Sequence, residues 1–459
     1  MDNMGVVKPS PRAKVAAVVK SRFAKVGAYR SISLVLGAAS GTLSAFVIVE
    51  KFGASGFAIF ALLSALLTML PFADLGLGVA VLNASSDCSA GRISNHAFEK
   101  SFSSVRALLT KIALTLIAAD LAVAVTIGWP SVLGLPQDPA TNVACGAVLA
   151  LLAVSIPLGT GARALQGSGK MHLVTKVAIL NPLLQIACVI PVALIATSAS
   201  QLAVLPAVAF LLVALLTDRL GRRQAGGRLK FFCFSGASGF HVKAVVGQSA
   251  SFLVISIGLT VGLQFQRILV SHLSTASALA EYSLIMQYLL PTMSVIGVIA
   301  QALWPTYRSR IGYMGEGDLG RHVLIFGLLG FFGGALLVVS VTVVSRWLLS
   351  GAVAVSLGTC LCAVPYLIAF ALHQPSAMLL TSKGGLLGQA VLVTVMAGLS
   401  VGLTLALVPR YGVGGALVAL SLSIFLAQLW PTFLAARRYI RLSRLNTEVF
   451  AVNVGNKEA

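Results

Sequence analysis

The sequence predicts an all-α polytopic membrane protein, and three observations carry that reading. Only 10% of the 459 residues are charged, where soluble proteins carry about 25%. Hydrophobic residues make up 58%, and the mean hydropathy is +0.95. Apolar runs long enough to span a bilayer, which takes about 20 residues, recur along the whole chain. The alternating segments of about 10 residues that mark an outer-membrane barrel are absent, so the spans are helices.

Taken in order, the runs fall at 29–49, 55–82, 107–128, 142–162, 173–197, 201–217, 244–266, 277–303, 322–345, 351–374, 387–408 and 412–435, about twelve spans. Ahead of them, residues 1–26 form a basic arm. Val15, Val18, Val19, Phe23 and Val26 recur there at helical spacing among Lys and Arg, a pattern that suits either a helix in the interface of an anionic leaflet or a disordered basic segment. The longest polar interruption, 218–243, separates six runs (27–217) from six (244–436), and 437–459 form a tail.

The net charge of +20 is distributed by topology. With twelve spans, 29 of the 33 Lys and Arg fall on the side of the termini, leaving Lys51, Arg267, Arg346 and Arg410 on the other. The positive-inside rule places both termini in the cytoplasm. The excess charge then serves orientation and attraction to anionic lipids, not nucleic acid. The six cysteines lie in spans or cytoplasmic loops, where they read as small packing residues rather than disulfide partners.

Repetition appears at two similar offsets, about 222 and about 215 residues. "GFAIFALLSALLTMLP" in the second span echoes "LAEYSLIMQYLLPTMS" in the eighth, aligning Phe60 with Tyr282. "ALQGSGKMHLVTKVAILNPLL" likewise echoes "LLTSKGGLLGQAVLVTVMAGL", aligning Gly169 with Gly384. Six spans per half give both halves the same orientation, so a pseudo-twofold runs along the membrane normal and a substrate site is expected between the lobes.

The segments "EKFGASGFAIFALLSALLTMLPFADLGLGVAVLN", "ALQGSGK", "QFQRILVSHLSTASALAEYSLIMQY" and "QALWPTYRSR" resemble the multidrug/oligosaccharidyl-lipid/polysaccharide (MOP) exporter superfamily. The resemblance is strongest to its polysaccharide-unit flippases of the O-antigen type, and it covers most of 27–436. It implies a MATE-like fold in a bacterial inner membrane and an undecaprenyl-pyrophosphate-linked glycan as substrate. It also implies polysaccharide polymerase machinery as a partner and H⁺ or Na⁺ as a coupling ion. One departure stands out: Gln266 precedes Arg267 where family members often carry an acidic residue.

Ionisable groups at bilayer depth cost about 2.5–3.5 kcal/mol on insertion scales and face cavities or partners. Asp74, beside Pro71, Gly76 and Gly78 in the second span, reads as a cavity carboxylate at a bend or as a helix-end partner of Arg92 or Arg163. Asp120, without a charged neighbour within a turn, faces a cavity or an interhelix contact. Arg30 and Arg163, at cytoplasmic span ends, suit a pyrophosphate through bidentate contacts or act as inside-positive anchors. Arg267 with Gln264 closes the seventh span and Glu281 opens the eighth, which makes either a gating pair or two snorkelling loop-end charges. Glu50 and Lys51 carry the same two readings. Gln287, with Gln185, Gln301, Gln374, Gln389 and Gln428, supplies amides for interhelix bonds or for a carbohydrate path.

Catalytic, cofactor and metal motifs are missing. The "LGLG" stretch follows no strand and lacks a third glycine, "LQGSGK" lacks the phosphate-loop spacing, and His272 and His373 are lone. Secondary or facilitated transport is therefore expected, by a lipid-linked oligosaccharide flippase or by a drug or metabolite antiporter. A membrane polymerase or ligase would need a larger outside loop.

Overall fold

The structure, a computed structural model, describes residues 11–67, 77–224, 242–301, 303, 307, 314–380 and 383–458. Among them it is all-helical. Ten helical segments are long and apolar enough to cross a membrane. Two of these each join two helices across a bend at a left-handed glycine, Gly53 (φ 69°) and Gly412 (φ 55°). An L side chain in that backbone region is disfavoured. The ten segments therefore provide twelve legs, in the order the apolar runs predicted. Apolar side chains such as Phe331, Phe332, Leu336, Val339 and Leu194 lie exposed on the helices, the surface expected of an integral membrane protein whose outer solvent is hydrocarbon.

The first lobe begins with α1 (Pro11–Leu66), in which residues 11–26 of the basic arm run without a break into the first span, followed by α2 (Gly78–Ser89). Next come α3 (Asn95–Thr126), the short α4 (Trp129–Leu133), α5 (Pro139–Gly167), α6 (Met171–Ala178), α7 (Leu180–Ile195), α8 (Ala199–Ala203) and α9 (Leu205–Gln224). Their starts follow local rules. The Ser94 hydroxyl accepts from Ala97 N (3.2 Å) to cap α3. The Asp138 carboxylate accepts from Thr141 N (3.1 Å) to cap α5, whose first residue is Pro139.

The second lobe holds α10 (Val242–Leu263), α11 (Phe265–Leu273), α12 (Ala276–Gln301), α13 (Glu316–Val343), α14 (Leu357–Leu379), α15 (Lys383–Ile424) and α16 (Trp430–Glu458). Single π-helical turns follow α13 (Val344–Leu348) and α15 (Phe425–Leu429). The packing repeats between lobes. Helix α3 lies on α5 as α13 lies on α14, and α1 lies on α7 as α10 lies on α15. Phe60 and Tyr282, aligned by the sequence echo, are both buried in one shared core. The lobes meet chiefly where α1 packs on α12.

Helix α9 extends past the apolar edge at 217, and that extension buries a charge cluster. Asp218, fully buried, pairs with the fully buried Arg106 of α3 and accepts from Arg222 Nε at 2.9 Å. Arg106 also donates to the Thr160 hydroxyl from Nε (3.0 Å) and Nη2 (2.7 Å), and its guanidinium lies 4.6 Å from the Phe102 ring centroid. Gly161 and Gly221 let α5 and α9 approach closely here: a Cβ on Gly221 would fall 2.3 Å from the Gly161 carbonyl oxygen.

Candidate functional site

Where the lobes face each other, a cavity of about 390 Å³ lies toward the arginine-rich end of the bundle. The first lobe contributes Arg30, exposed on α1. The second contributes Gln264 between α10 and α11, then Leu290, Met293, Ser294, Gly297, Val298 and Gln301 of α12, and Phe370 of α14. Gln264 is 6% exposed, and its Oε1 is buried without a hydrogen-bond partner among the described residues. The lining therefore offers one guanidinium, two amides and a hydroxyl in an otherwise apolar wall. It contains no carboxylate among the described residues.

Toward the other end, which carries Lys51, Arg346 and Arg410, the lobes are sealed. Halfway along, the hydroxyls of Thr42 and Tyr288 meet at 2.6 Å, and Gly41 lies against Gln287, whose Nε2 is 3.0 Å from where a Gly41 Cβ would be. Phe57, Tyr282, Leu284, Ile285 and Met286 then fill the seam. Beyond them the second lobe reaches across to main-chain oxygens of the first. Arg267 Nη1 donates to Ala61 O (3.0 Å), Ser271 Oγ donates to Leu133 O (2.6 Å), and His272 Nε2 lies 3.2 Å from Ser131 O.

Of the residues the sequence nominated, Arg30 and Gln264 come together in the cavity, and Gln287 sits just past its closed end. Arg267 and Glu281 are not paired with each other. Arg267 is latched to the first lobe, while the Glu281 carboxylate lies beside Thr359 and Ser356. Lys51 does not pair with the exposed Glu50 but donates to Ala193 O at 2.6 Å. Arg163, hydrogen-bonded to Gln166 (3.2 Å), lines a separate cavity of about 410 Å³ within the first lobe. Asp120 lines a third, of about 270 Å³, also within the first lobe. There it accepts from the Trp129 indole (2.7 Å) with Gly146 alongside. Asp74 lies outside the described residues.

Sequence reasoning missed the buried Arg106 cluster. A signal existed: Phe98, Phe102 and Leu109 follow a helical period that also carries Arg106, and all four are buried. The main-chain acceptors of the seal left no signal, because any side chain presents the same carbonyl.

Two lobes of six legs, joined along α1 and α12 with a cavity between them, define a MATE-like membrane fold. Solved structures agree. An inward-facing multidrug resistance MATE family transporter of the MOP superfamily superposes with a TM-score of 0.70 at 13% identity, covering 90% of this chain and 99% of that one. The lipid II flippase MurJ in an inward closed conformation gives 0.65 at 13% identity, covering 93% and 92%. An outward-facing MATE family transporter gives 0.63 at 12% identity, covering 93% and 97%. At such identities the likeness is one of fold. No protein-family model matches the chain, and no curated protein matches it.

Proposed function

We propose that the protein is a flippase for undecaprenyl-pyrophosphate-linked oligosaccharides, serving surface polysaccharide assembly in a bacterial inner membrane. Both termini and the arginine-rich loops face the cytoplasm in this reading, as the charge distribution favours. The lobes rock about their seam to give alternating access. The observation that carries it is the lining of the inter-lobe cavity: Arg30 with Gln264, Ser294 and Gln301, and no carboxylate among the described residues. A guanidinium suits a pyrophosphate bidentately, and amides and hydroxyls match sugar hydroxyls, whereas a cationic substrate would meet a cation. One structural neighbour is by name a lipid II flippase. Reconstituted into vesicles, the protein should move labelled lipid-linked oligosaccharide between leaflets, and Arg30→Ala should slow it. Movement no faster than in empty vesicles, with folded protein verified, overturns the proposal.

A second reading, an H⁺- or Na⁺-coupled antiporter, draws on a different observation. Asp120 is a 6% exposed carboxylate bonded to Trp129 in an apolar cavity, and MATE family transporters are among the structural neighbours. This reading requires Asp120→Asn to abolish ion-driven efflux. Undiminished efflux in that variant removes Asp120 as the coupling group.

A further inference from the structure

The cavity ends at Leu290, yet the polar character of α12 does not. Counting 100° per residue, Gln301, Ser294, Gln287 and Ser283 project within an arc of about 40° on one face of that helix. Gln301 and Ser294 line the cavity. Gln287 and Ser283 continue the same face toward the sealed end, about 27 Å from Gln301 to Ser283 at 1.5 Å per residue.

These two continuing residues are not used by the seal they sit in. Gln287 Nε2 and Ser283 Oγ are buried atoms without a hydrogen-bond partner among the described residues. Most buried side-chain polar atoms are paired, and leaving a donor unpaired destabilises the state that does so. The same turn carries a main-chain oxygen without its usual helical donor. Pro291, inside α12, lacks the N–H that would reach the carbonyl of Gln287 four residues earlier. Position 287 thus holds a side-chain donor and a main-chain acceptor, and Gly41 is the first-lobe residue facing it, with no side chain to cover it. Structural packing alone gives no reason to keep an amide and a hydroxyl at these depths.

We infer that this face of α12 is the track of the translocating headgroup, and that Ser283 and Gln287 form a transit site for its hydroxyl and amide groups between the cavity and the sealed end. The inference rests on the flippase reading. Once the α1–α12 seam parts, a hydroxyl-rich ligand meets donors and acceptors at successive turns of one rigid helix. It leaves the hydrogen bonds of the cavity as it gains those of the transit site, so no step strands its polar groups in an apolar wall. The closed seam, with those atoms unmet, then has less of a lead in stability over the conducting form.

The test uses the full chain carrying Gln287→Met, Ser283→Ala or both. Three quantities are read: the thermal midpoint in detergent, binding of lipid-linked oligosaccharide to the solubilised protein, and its movement in vesicles. The expected result is a midpoint equal to or above wild type, binding within about twofold because Arg30, Gln264, Ser294 and Gln301 remain, and movement slowed at least about tenfold in the double variant, the effect of losing two hydrogen bonds of ordinary strength. Movement within about twofold of wild type overturns the track. A slowed movement accompanied by a lowered midpoint also overturns it, since the two residues would then be structural. Wild-type protein that moves no oligosaccharide removes the flippase reading and the track together, whereas wild-type movement unchanged in the variants removes the track alone.

Discussion

Replacing Asp218 by Asn should be among the most damaging single changes in the first lobe. The carboxylate is fully buried and holds two guanidinium groups, one of them, Arg106, fully buried itself. Asn keeps the shape but removes the buried carboxylate with which Arg106 is paired. Breaking a buried pair from one side costs about 3–5 kcal/mol. Arg106→Met should cost less, about 2–4 kcal/mol, because Asp218 keeps Arg222 at 2.9 Å, although the contact with Phe102 at 4.6 Å is lost. Arg222→Ala, whose side chain is 21% exposed, should cost about 1 kcal/mol. Replacing both buried partners by apolar residues should recover most of the loss, since a matched apolar pair is often no less stable than a buried ion pair. Unfolding by denaturing detergent in mixed micelles, followed by helical circular dichroism, ranks the variants and gives the coupling energy. Asp218→Asn lying within about 1 kcal/mol of wild type would refute the reasoning.

Other perturbations read different parts of the fold. Gly53→Ala and Gly412→Ala place a side chain at φ 69° and 55°, so each should lower unfolding stability by about 1–2 kcal/mol in the same assay. Trp129→Phe deletes the only hydrogen-bond donor found on Asp120 among the described residues. It should destabilise by about 1–3 kcal/mol, and Asp120→Asn, which keeps an acceptor for the indole, should destabilise less. Glu316 bridges Arg437 and Arg441 of α16 at the surface. Glu316→Gln should therefore produce a loss smaller than any in the Arg106 set, one that vanishes at high salt.

Apolar periodicity made the legs legible because a bilayer punishes any span that is not long, apolar and internally hydrogen-bonded. The division into lobes followed from the polar stretch after α9 and the echo that aligns Phe60 with Tyr282. What could not be read was which polar residues share a space. Arg30 and Arg163 are both basic residues near span ends, yet one stands in the inter-lobe cavity and the other lines a cavity within the first lobe. That difference depends on helix rotation and packing, not on composition. Arg267 and Glu281, close in sequence across a short turn, look like natural partners, but their helices aim Arg267 at Ala61 O and leave Glu281 beside Thr359 and Ser356. Apolar edges also misplace charge: 218 looks like the start of a linker, although α9 continues and takes Asp218 into the core.

The seal has an unequal division of labour with a bearing on how such a protein can change over generations. The second lobe supplies the specific side chains Arg267, Ser271 and His272, while the first supplies the oxygens of Ala61, Leu133 and Ser131. Substitutions that preserve the backbone path of α1 and α4 leave those oxygens in place, so the receiving surface can drift in sequence without unlatching. The donating surface has no such latitude. At these three latches the donating side chains are held and the accepting residues are free to vary, while Thr42 and Phe57, first-lobe side chains elsewhere in the seam, are held as the donors are.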